Sequence, residues 1–146
     1  MVRLTGSVKQ MDLFTVELTE TQMSTLSPLA LAHVGDAVYE LMARSYLVLR
    51  GKETNRSLHR ATVAMVAAPA QAAAAGRIAP LFTEEELAVY KRGRNAKVHA
   101  VPHGATVGEY HAATALEALF GYLWLSGRRE RLNLLFGAIV GDEHGI

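Results

Sequence analysis

The sequence predicts an all-α fold, and three observations support this. Alternation of apolar and polar residues, which would indicate strands, is scarce and short, whereas alanine, leucine and glutamate recur throughout. Helix-start signatures appear at several points along the chain. Half of the 146 residues are apolar, which is enough for one compact domain with its own core and too little for two.

The first predicted helix begins at the Ser27–Pro28 pair and runs to Arg50, where Gly51 suits the residue after a helix end. It is apolar nearly all round, so we expect it to be the central helix, surrounded by other helices or by a partner subunit. Residues 1–24 show no convincing period and are predicted to form a partly ordered lead-in. The folded domain is therefore expected to span residues 25–146.

The remaining helices are separated by short linkers. We expect one helix over residues 54–66 and a short alanine-rich helix over residues 69–75, ending at a glycine. Capping boxes of the form T-x-x-E, at Thr83 and Thr106, open two more helices. The amphipathic stretch "RRERLNLLFGAIV" forms the last one.

Composition predicts a cytoplasmic protein with no membrane partner. The longest weakly polar run, "ATVAMVAAPAQAAAA", is interrupted by proline and glutamine and is shorter than the roughly 20 residues that cross a bilayer. The N-terminus lacks an apolar signal segment. The chain has no cysteine, which excludes disulfides and thiolate metal sites and fits a reducing compartment.

The net charge of +1 conceals an uneven distribution of cations. Nine of the 15 lysines and arginines lie in two windows, five in residues 44–60 and four in "KRGRNAK", residues 91–97. Acids concentrate elsewhere along the chain. The protein can therefore present one cationic face to a polyanion, although an exposed helix end whose cations match the helix dipole explains "KRGRNAK" equally well.

Two carboxylates stand one turn apart on the first predicted helix. Asp36 and Glu40 share a stripe, with His33 one turn before Asp36. Aspartate is unfavourable inside a helix, and a buried lone carboxylate is costly, so Asp36 needs a partner. One reading is structural: Asp36 bonds to an arginine or to His33, and Glu40 is a solvated or interface residue.

A third carboxylate favours a metal site. Glu117 is embedded in the apolar stretch "ATALEALFGYLWL", and two inward carboxylates repel unless a cation or a shared proton compensates. Oxygen ligands without cysteine favour magnesium or manganese. Such an ion can drive phosphodiester hydrolysis, with the basic windows as phosphate clamps and Asn55 and Asn95 as partners for sugar hydroxyls.

Three ordered motifs, "LALAHVGDAVYE", "YKRGRNAK" and "TALEALFGYLWL", resemble the Mini-ribonuclease III family over residues 26–136. That family consists of a ribonuclease III catalytic domain without a double-stranded-RNA-binding domain. The resemblance implies an all-α, ribonuclease III endonuclease-like helical domain. It also implies a homodimer that cuts double-stranded RNA with magnesium, leaving 5'-phosphate and 3'-hydroxyl ends, and that matures precursors of large-subunit ribosomal RNA.

Matched motif by motif, Asp36 and Glu117 fall on the family's catalytic acids and are the expected metal ligands. Larger ribonuclease III enzymes have further acids one turn before each, where this chain has Ala32 and Thr114, so the resemblance does not extend to a two-metal, fully carboxylate-lined site. Glu40 is either a water-mediated ligand or a structural residue. The predicted RNA-contacting residues are Lys91, Arg92, Arg94, Asn95 and Lys97, with Asn55 and His59 as weaker candidates.

We expect no separate RNA-binding domain after the last predicted helix. Duplex binding is therefore expected from a dimer of the catalytic domain, with manganese able to substitute for magnesium and a ribosomal protein as a possible helper. The alternative is a non-catalytic helical module that binds RNA or the ribosome, in which Asp36 and Glu117 pair with arginines.

Overall fold

A computed structural model describes residues 12–51, 54–97 and 100–141, and these ranges are helical with no strand, which confirms the predicted fold class. The helices of the described ranges are α1 (Glu20–Ser24), α2 (Pro28–Arg50), α3 (Asn55–Val66), α4 (Ala68–Ile78), α5 (Glu84–Arg94), α6 (Val107–Leu125) and α7 (Arg129–Val140), with a 3₁₀ turn (Ala79–Leu81) between α4 and α5. Within those ranges no helix has the length and apolarity to cross a bilayer.

Three of these helices begin where the capping signatures place them. The Ser27 hydroxyl accepts a hydrogen bond from the Ala30 amide at 3.1 Å and opens α2. Thr83 at the start of α5 and Thr106 at the start of α6 both form complete capping boxes with the glutamate three residues later. Each box satisfies amide groups that a helix start leaves without partners.

Two features differ from the sequence-based predictions. Helix α4 continues through Gly76 to Ile78, because Gly76 keeps helical geometry and a single glycine inside a helix costs only about 1 kcal/mol. Within the predicted lead-in, α1 forms on a Thr19 capping box and buries Met23, and the Leu18 amide donates to Leu125 O at 2.7 Å. Residues 1–11 of the lead-in lie outside the described residues.

The central helix is α6, and the prediction that the first long helix would be central is wrong. Ten of the 19 residues of α6 are buried, and α2, α4, α5 and α7 all contact it. Helix α2 packs along α6 on one side only, so Leu41 stays 55% and Val48 59% exposed. An apolar surface on α2 is therefore open to solvent in the single chain.

Candidate active site at the crossing of α2 and α6

The backbones of α2 and α6 touch at two glycines. A Cβ atom at Gly35 would lie 1.6 Å from the carbonyl oxygen of Glu117, and one at Gly121 would lie 1.9 Å from the carbonyl oxygen of Leu31. No side chain fits in either place. The crossing therefore brings together the residue after Gly35, which is Asp36, and the residue one turn before Gly121, which is Glu117.

The carboxyl groups of Asp36 and Glu117 are within hydrogen-bonding reach of each other. Asp36 is exposed, whereas Glu117 is largely buried between helices. Burial, followed by the nearby charge of Asp36, raises the pKa of Glu117 to about 8. Near neutral pH the Glu117 carboxyl therefore keeps its proton, unless a cation takes the proton's place.

A third helix contacts this pair through Gln71. Its Nε2 donates to the Val66 carbonyl at 3.1 Å and to Glu117 Oε2 at 3.4 Å. Its Oε1 is buried and has no hydrogen-bond partner among the described residues. The hydrogen bond from Gln71 lowers the pKa of Glu117, against the larger effects that raise it.

The donor set fits a hard divalent cation. Asp36 and Glu117 supply carboxylate oxygens as ligands and negative charge to balance the cation. Gln71, which hydrogen bonds to Glu117, also carries an amide oxygen without a partner among the described residues. Ala32 and Thr114, one turn before the two acids, are buried and carry no carboxylate. In the described part of the chain no group of three or more His, Cys, Asp or Glu side chains forms a metal cage. A pair of carboxylates suits magnesium, which retains several waters.

Glu40 and His33 are placed differently from the acid pair. The Glu40 carboxylate accepts a hydrogen bond from Arg44 Nε at 2.9 Å, an ion pair within α2 that is exposed to solvent. His33 is exposed as well. Asp36, by contrast, forms no ion pair within the described ranges, so the structural reading of Asp36 as the partner of an arginine has no support in its surroundings.

The cationic end of α5 lies along the same part of α6. A Cβ atom at Gly93 would be 2.9 Å from Ala115 Cα and from Ala118 Cβ, so α5 packs closely on the residues that flank Glu117. The five predicted RNA-contacting residues of this region are all exposed: Lys91, Arg92, Arg94, Asn95 and Lys97. None of the four cations forms an ion pair in the portion of the chain described.

The weaker RNA-contacting candidates lie elsewhere, at the contact of α3 with α2. Asn55 and His59 are exposed on α3 and, with Arg44 and Val48 of α2, line a cavity of about 290 Å³. The structure therefore groups the predicted residues into an acid pair, a cationic end of α5 and a separate polar cavity beside α2.

Sequence reasoning missed Gln71 and the structural glycines Gly35, Gly93 and Gly121. The glycines carried a signal, because each stands inside a helical pattern where glycine is otherwise unfavourable and marks a close approach. Gln71 carried a weaker one, as the single amide side chain of an alanine-rich helix. Neither signal identifies the partner that is approached.

Comparisons with known proteins agree with this geometry. The Ribonuclease III domain family matches residues 29–128. The Mini-ribonuclease 3 of Symbiobacterium thermophilum is 49% identical over 109 residues, covering 75% of this chain and 84% of that relative. The Mini-ribonuclease 3 of Thermoanaerobacter sp. is 46% identical over 116 residues, covering 80% and 82%. A crystal structure of a protein from Fusobacterium nucleatum aligns with a TM-score of 0.73 at 32% identity, covering 80% of this chain and 90% of that one.

Proposed function

This chain belongs to the ribonuclease III family and, within it, to the Mini-ribonuclease III group, and we propose that it is a magnesium-dependent endoribonuclease that cuts double-stranded RNA. The observation that carries the proposal is the contact between the Asp36 and Glu117 carboxyls at the glycine crossing. Among the described residues neither carboxyl forms an ion pair with a cationic side chain, so the protein does not offset the negative charge of the pair there. Such an arrangement favours a divalent ion.

In this proposal Asp36 and Glu117 hold the ion at the surface of the α2–α6 crossing. Magnesium or manganese, when bound, supplies polarisation of a phosphoryl oxygen and an activated water as nucleophile. Because Asp36 is exposed and Glu117 is largely buried, one ligand faces the substrate and the other is fixed by the core. Cleavage in the family manner leaves 5'-phosphate and 3'-hydroxyl ends.

The end of α5 is the proposed RNA clamp. Its cations are exposed, unpaired among the described residues and packed along the segment of α6 that carries Glu117. An A-form duplex is recognised mainly through phosphates, 2'-hydroxyls and shape, so lysine, arginine and the Asn95 amide are suitable contacts. Asn55 and His59 are proposed as a second, smaller contact beside α2.

The active form is proposed to be a homodimer. One acid pair cuts one strand, so a double-strand cut needs two pairs related by symmetry. The exposed apolar residues of α2 and α3, Leu41, Val48, Leu49 and Val63, are suitable for burial against a second copy.

By family resemblance, we propose a precursor of large-subunit ribosomal RNA as substrate, a ribosomal protein as helper and the cytoplasm as location.

The test is a cleavage and binding assay on one labelled RNA duplex. With magnesium, the wild-type protein should convert the duplex to shorter products, whereas EDTA should stop cleavage, and single-stranded RNA of the same sequence should remain intact. Mapping the product ends checks the 5'-phosphate. A mobility shift of intact duplex, with magnesium present and no products formed, would contradict the nuclease proposal and favour the non-catalytic RNA-binding module.

The finer parts of the proposal need separate measurements. Sedimentation of the purified protein should give the mass of two chains, and replacing Leu41 with lysine should shift the mass to that of one chain.

A large-subunit ribosomal precursor should be cut at a defined position, while an unrelated duplex of the same length should be cut more slowly. Equal rates on both substrates would contradict the ribosomal assignment.

A further inference from the structure

Gln71 is a polar side chain buried in an apolar face of α4. It is 1% exposed, and the same helix buries Ala74, Ala75 and Ile78 against the core. A buried amide is costly unless its groups are hydrogen bonded. A leucine or methionine would fill this position without that cost. The hydrogen bonds of the Gln71 amide should therefore show why a polar side chain stands here.

The contacts fix the orientation of the amide. Val66 is the last residue of α3, and its carbonyl belongs to the helix end that lacks intrahelical partners. This carbonyl needs a donor, and so does the Glu117 carboxylate, so the nitrogen of Gln71 faces both and the oxygen faces away. One amide group therefore links the end of α3 to the middle of α6.

This link acts on the more buried member of the acid pair. Two side chains act on Glu117: Asp36 of α2 carries a charge of the same sign, and Gln71 of α4 donates a hydrogen bond. When both acids are ionised, repulsion from Asp36 acts to rotate the Glu117 carboxylate away from it. The donor on α4 opposes that rotation, because leaving would break a hydrogen bond inside the core.

We propose that Gln71 is a positioning residue that holds the Glu117 carboxylate next to Asp36 by anchoring it to the end of α3. The proposal rests on the proposed function, because it gives Gln71 a role towards the ion that the two acids would bind. Residues that orient metal ligands in this way change metal affinity or activity by about 10- to 100-fold when they are replaced.

The test compares Gln71→Met with Ile78→Val, a variant of a buried residue that lies about two turns after Gln71 on the same helix. Manganese binding to the RNA-free protein is measured by electron paramagnetic resonance, and the magnesium concentration for half-maximal cleavage is measured in parallel. We expect Gln71→Met to weaken manganese binding by about tenfold or more and Ile78→Val to leave it unchanged. Equal affinities in the two variants would overturn the proposal.

Crystal structures of the metal-free wild type and Gln71→Met separate this proposal from the proposed function. If the wild type binds no manganese and cuts no duplex, the nuclease proposal fails, and the position of Glu117 still decides the role of Gln71. A Glu117 carboxylate that stays next to Asp36 in the variant overturns the positioning role, and a changed rotamer supports it. Gln71→Ala, which retains helix propensity and leaves space for water, replaces Gln71→Met if that variant does not fold.

Discussion

Glu86 and Glu117 are both acids held among helices of one core, yet the charges of their neighbours are opposite in sign. Glu86 is 2% exposed, and Arg131 binds both of its oxygens, at 2.7 and 2.8 Å. Burial acts to raise the pKa of Glu86, but the hydrogen bonds from Arg131 and from the Thr83 backbone, with the charges of Arg131 and Arg128, together outweigh it and lower the pKa. At Glu117, burial and the neighbouring acid act together and raise the pKa to about 8.

The difference separates an acid whose charge is offset by a cation of the protein from an acid whose neighbour is another acid. We call the Glu86–Arg131 pair the complete site and the Asp36–Glu117 pair the incomplete site. The Glu86–Arg131 pair is neutral and its hydrogen bonds are satisfied, so it needs nothing from solution and ties α5 to α7. The Asp36–Glu117 pair has no ion-pair partner within the described ranges, so the second negative charge is offset only by a proton on Glu117 or by a cation from solution. Buried acids with shifted pKa values are common at functional sites and in structural ion pairs alike, and the charge of the partner separates the two cases here.

The largest expected effect comes from neutralising the incomplete site. Asp36→Asn or Glu117→Gln should lower the rate of duplex cleavage by about a thousandfold or more, since a metal ion contributes several kcal/mol to the transition state. The metal-free melting temperature should stay the same or rise, because a repulsion is removed. Glu85→Gln, a change of an exposed acid, is the matched control and should cut at the wild-type rate. Wild-type cleavage by either site variant would remove that residue from the site.

Breaking the complete site should affect stability and leave chemistry unchanged. Arg131→Met removes the cation that binds both oxygens of the buried Glu86 carboxylate, and we expect the free energy of unfolding to fall by about 3–5 kcal/mol. Urea unfolding measures the loss, and cleavage per folded molecule at low temperature should match the wild type. A loss below about 1 kcal/mol would show that the pair behaves as an ordinary surface salt bridge.

The pH dependence of stability should follow the titration of Glu117 in the incomplete site. The pKa of Glu117 is raised from its ordinary value of 4.5 to about 8, so the folded chain binds more protons than the unfolded chain between those values, and stability falls as pH rises through that window. In EDTA, the melting temperature should drop by about 5 °C or more from the lower to the upper end of this window. Glu117→Gln should reduce that drop, and magnesium should stabilise the wild type more at the alkaline end. An identical pH profile in wild type and Glu117→Gln would contradict the raised pKa.

The smallest effect is expected at the cationic end of α5. Arg94→Ala should weaken duplex binding several-fold and reduce the slope of log affinity against log salt by about one, as expected for one lost phosphate contact. Arg128→Ala is the control, because Arg128 already pairs with Glu85 at 3.2 Å. A salt series on binding without magnesium gives both slopes. Equal slopes for Arg94→Ala and the wild type would place Arg94 outside the RNA-binding surface.

Local signals in the sequence predicted most of the helices. Helix starts are determined by hydrogen bonds between residues three apart, so the capping residues Ser27, Thr83 and Thr106 could be recognised directly. The same signal was present at Thr19, where Gln22 completes the capping box of α1, but the short helix after it lacks a period. Gly76 misled the prediction of the end of α4, because an exposed glycine inside a helix costs only about 1 kcal/mol.

The site itself depends on contacts that spacing does not encode. That Asp36 and Glu117 stand on different helices was readable from the sequence, but their convergence requires α2 and α6 to cross at Gly35 and Gly121. The choice of α6 as central helix depends on packing against four neighbours, which no single segment reveals. Gln71 stayed hidden for the same reason, since its partners lie 5 and 46 residues away along the chain.

The crossing at Gly35 and Gly121 also limits how this enzyme can be made more heat-resistant. Exchanging helical glycine for alanine typically gains up to about 1 kcal/mol where space allows, and Gly76, Gly108 and Gly137 have open surroundings. At Gly35 the added methyl group would overlap the Glu117 backbone, so the same exchange would push α2 and α6 apart. A thermostable version should therefore be sought at the outer glycines, with the inner pair left untouched.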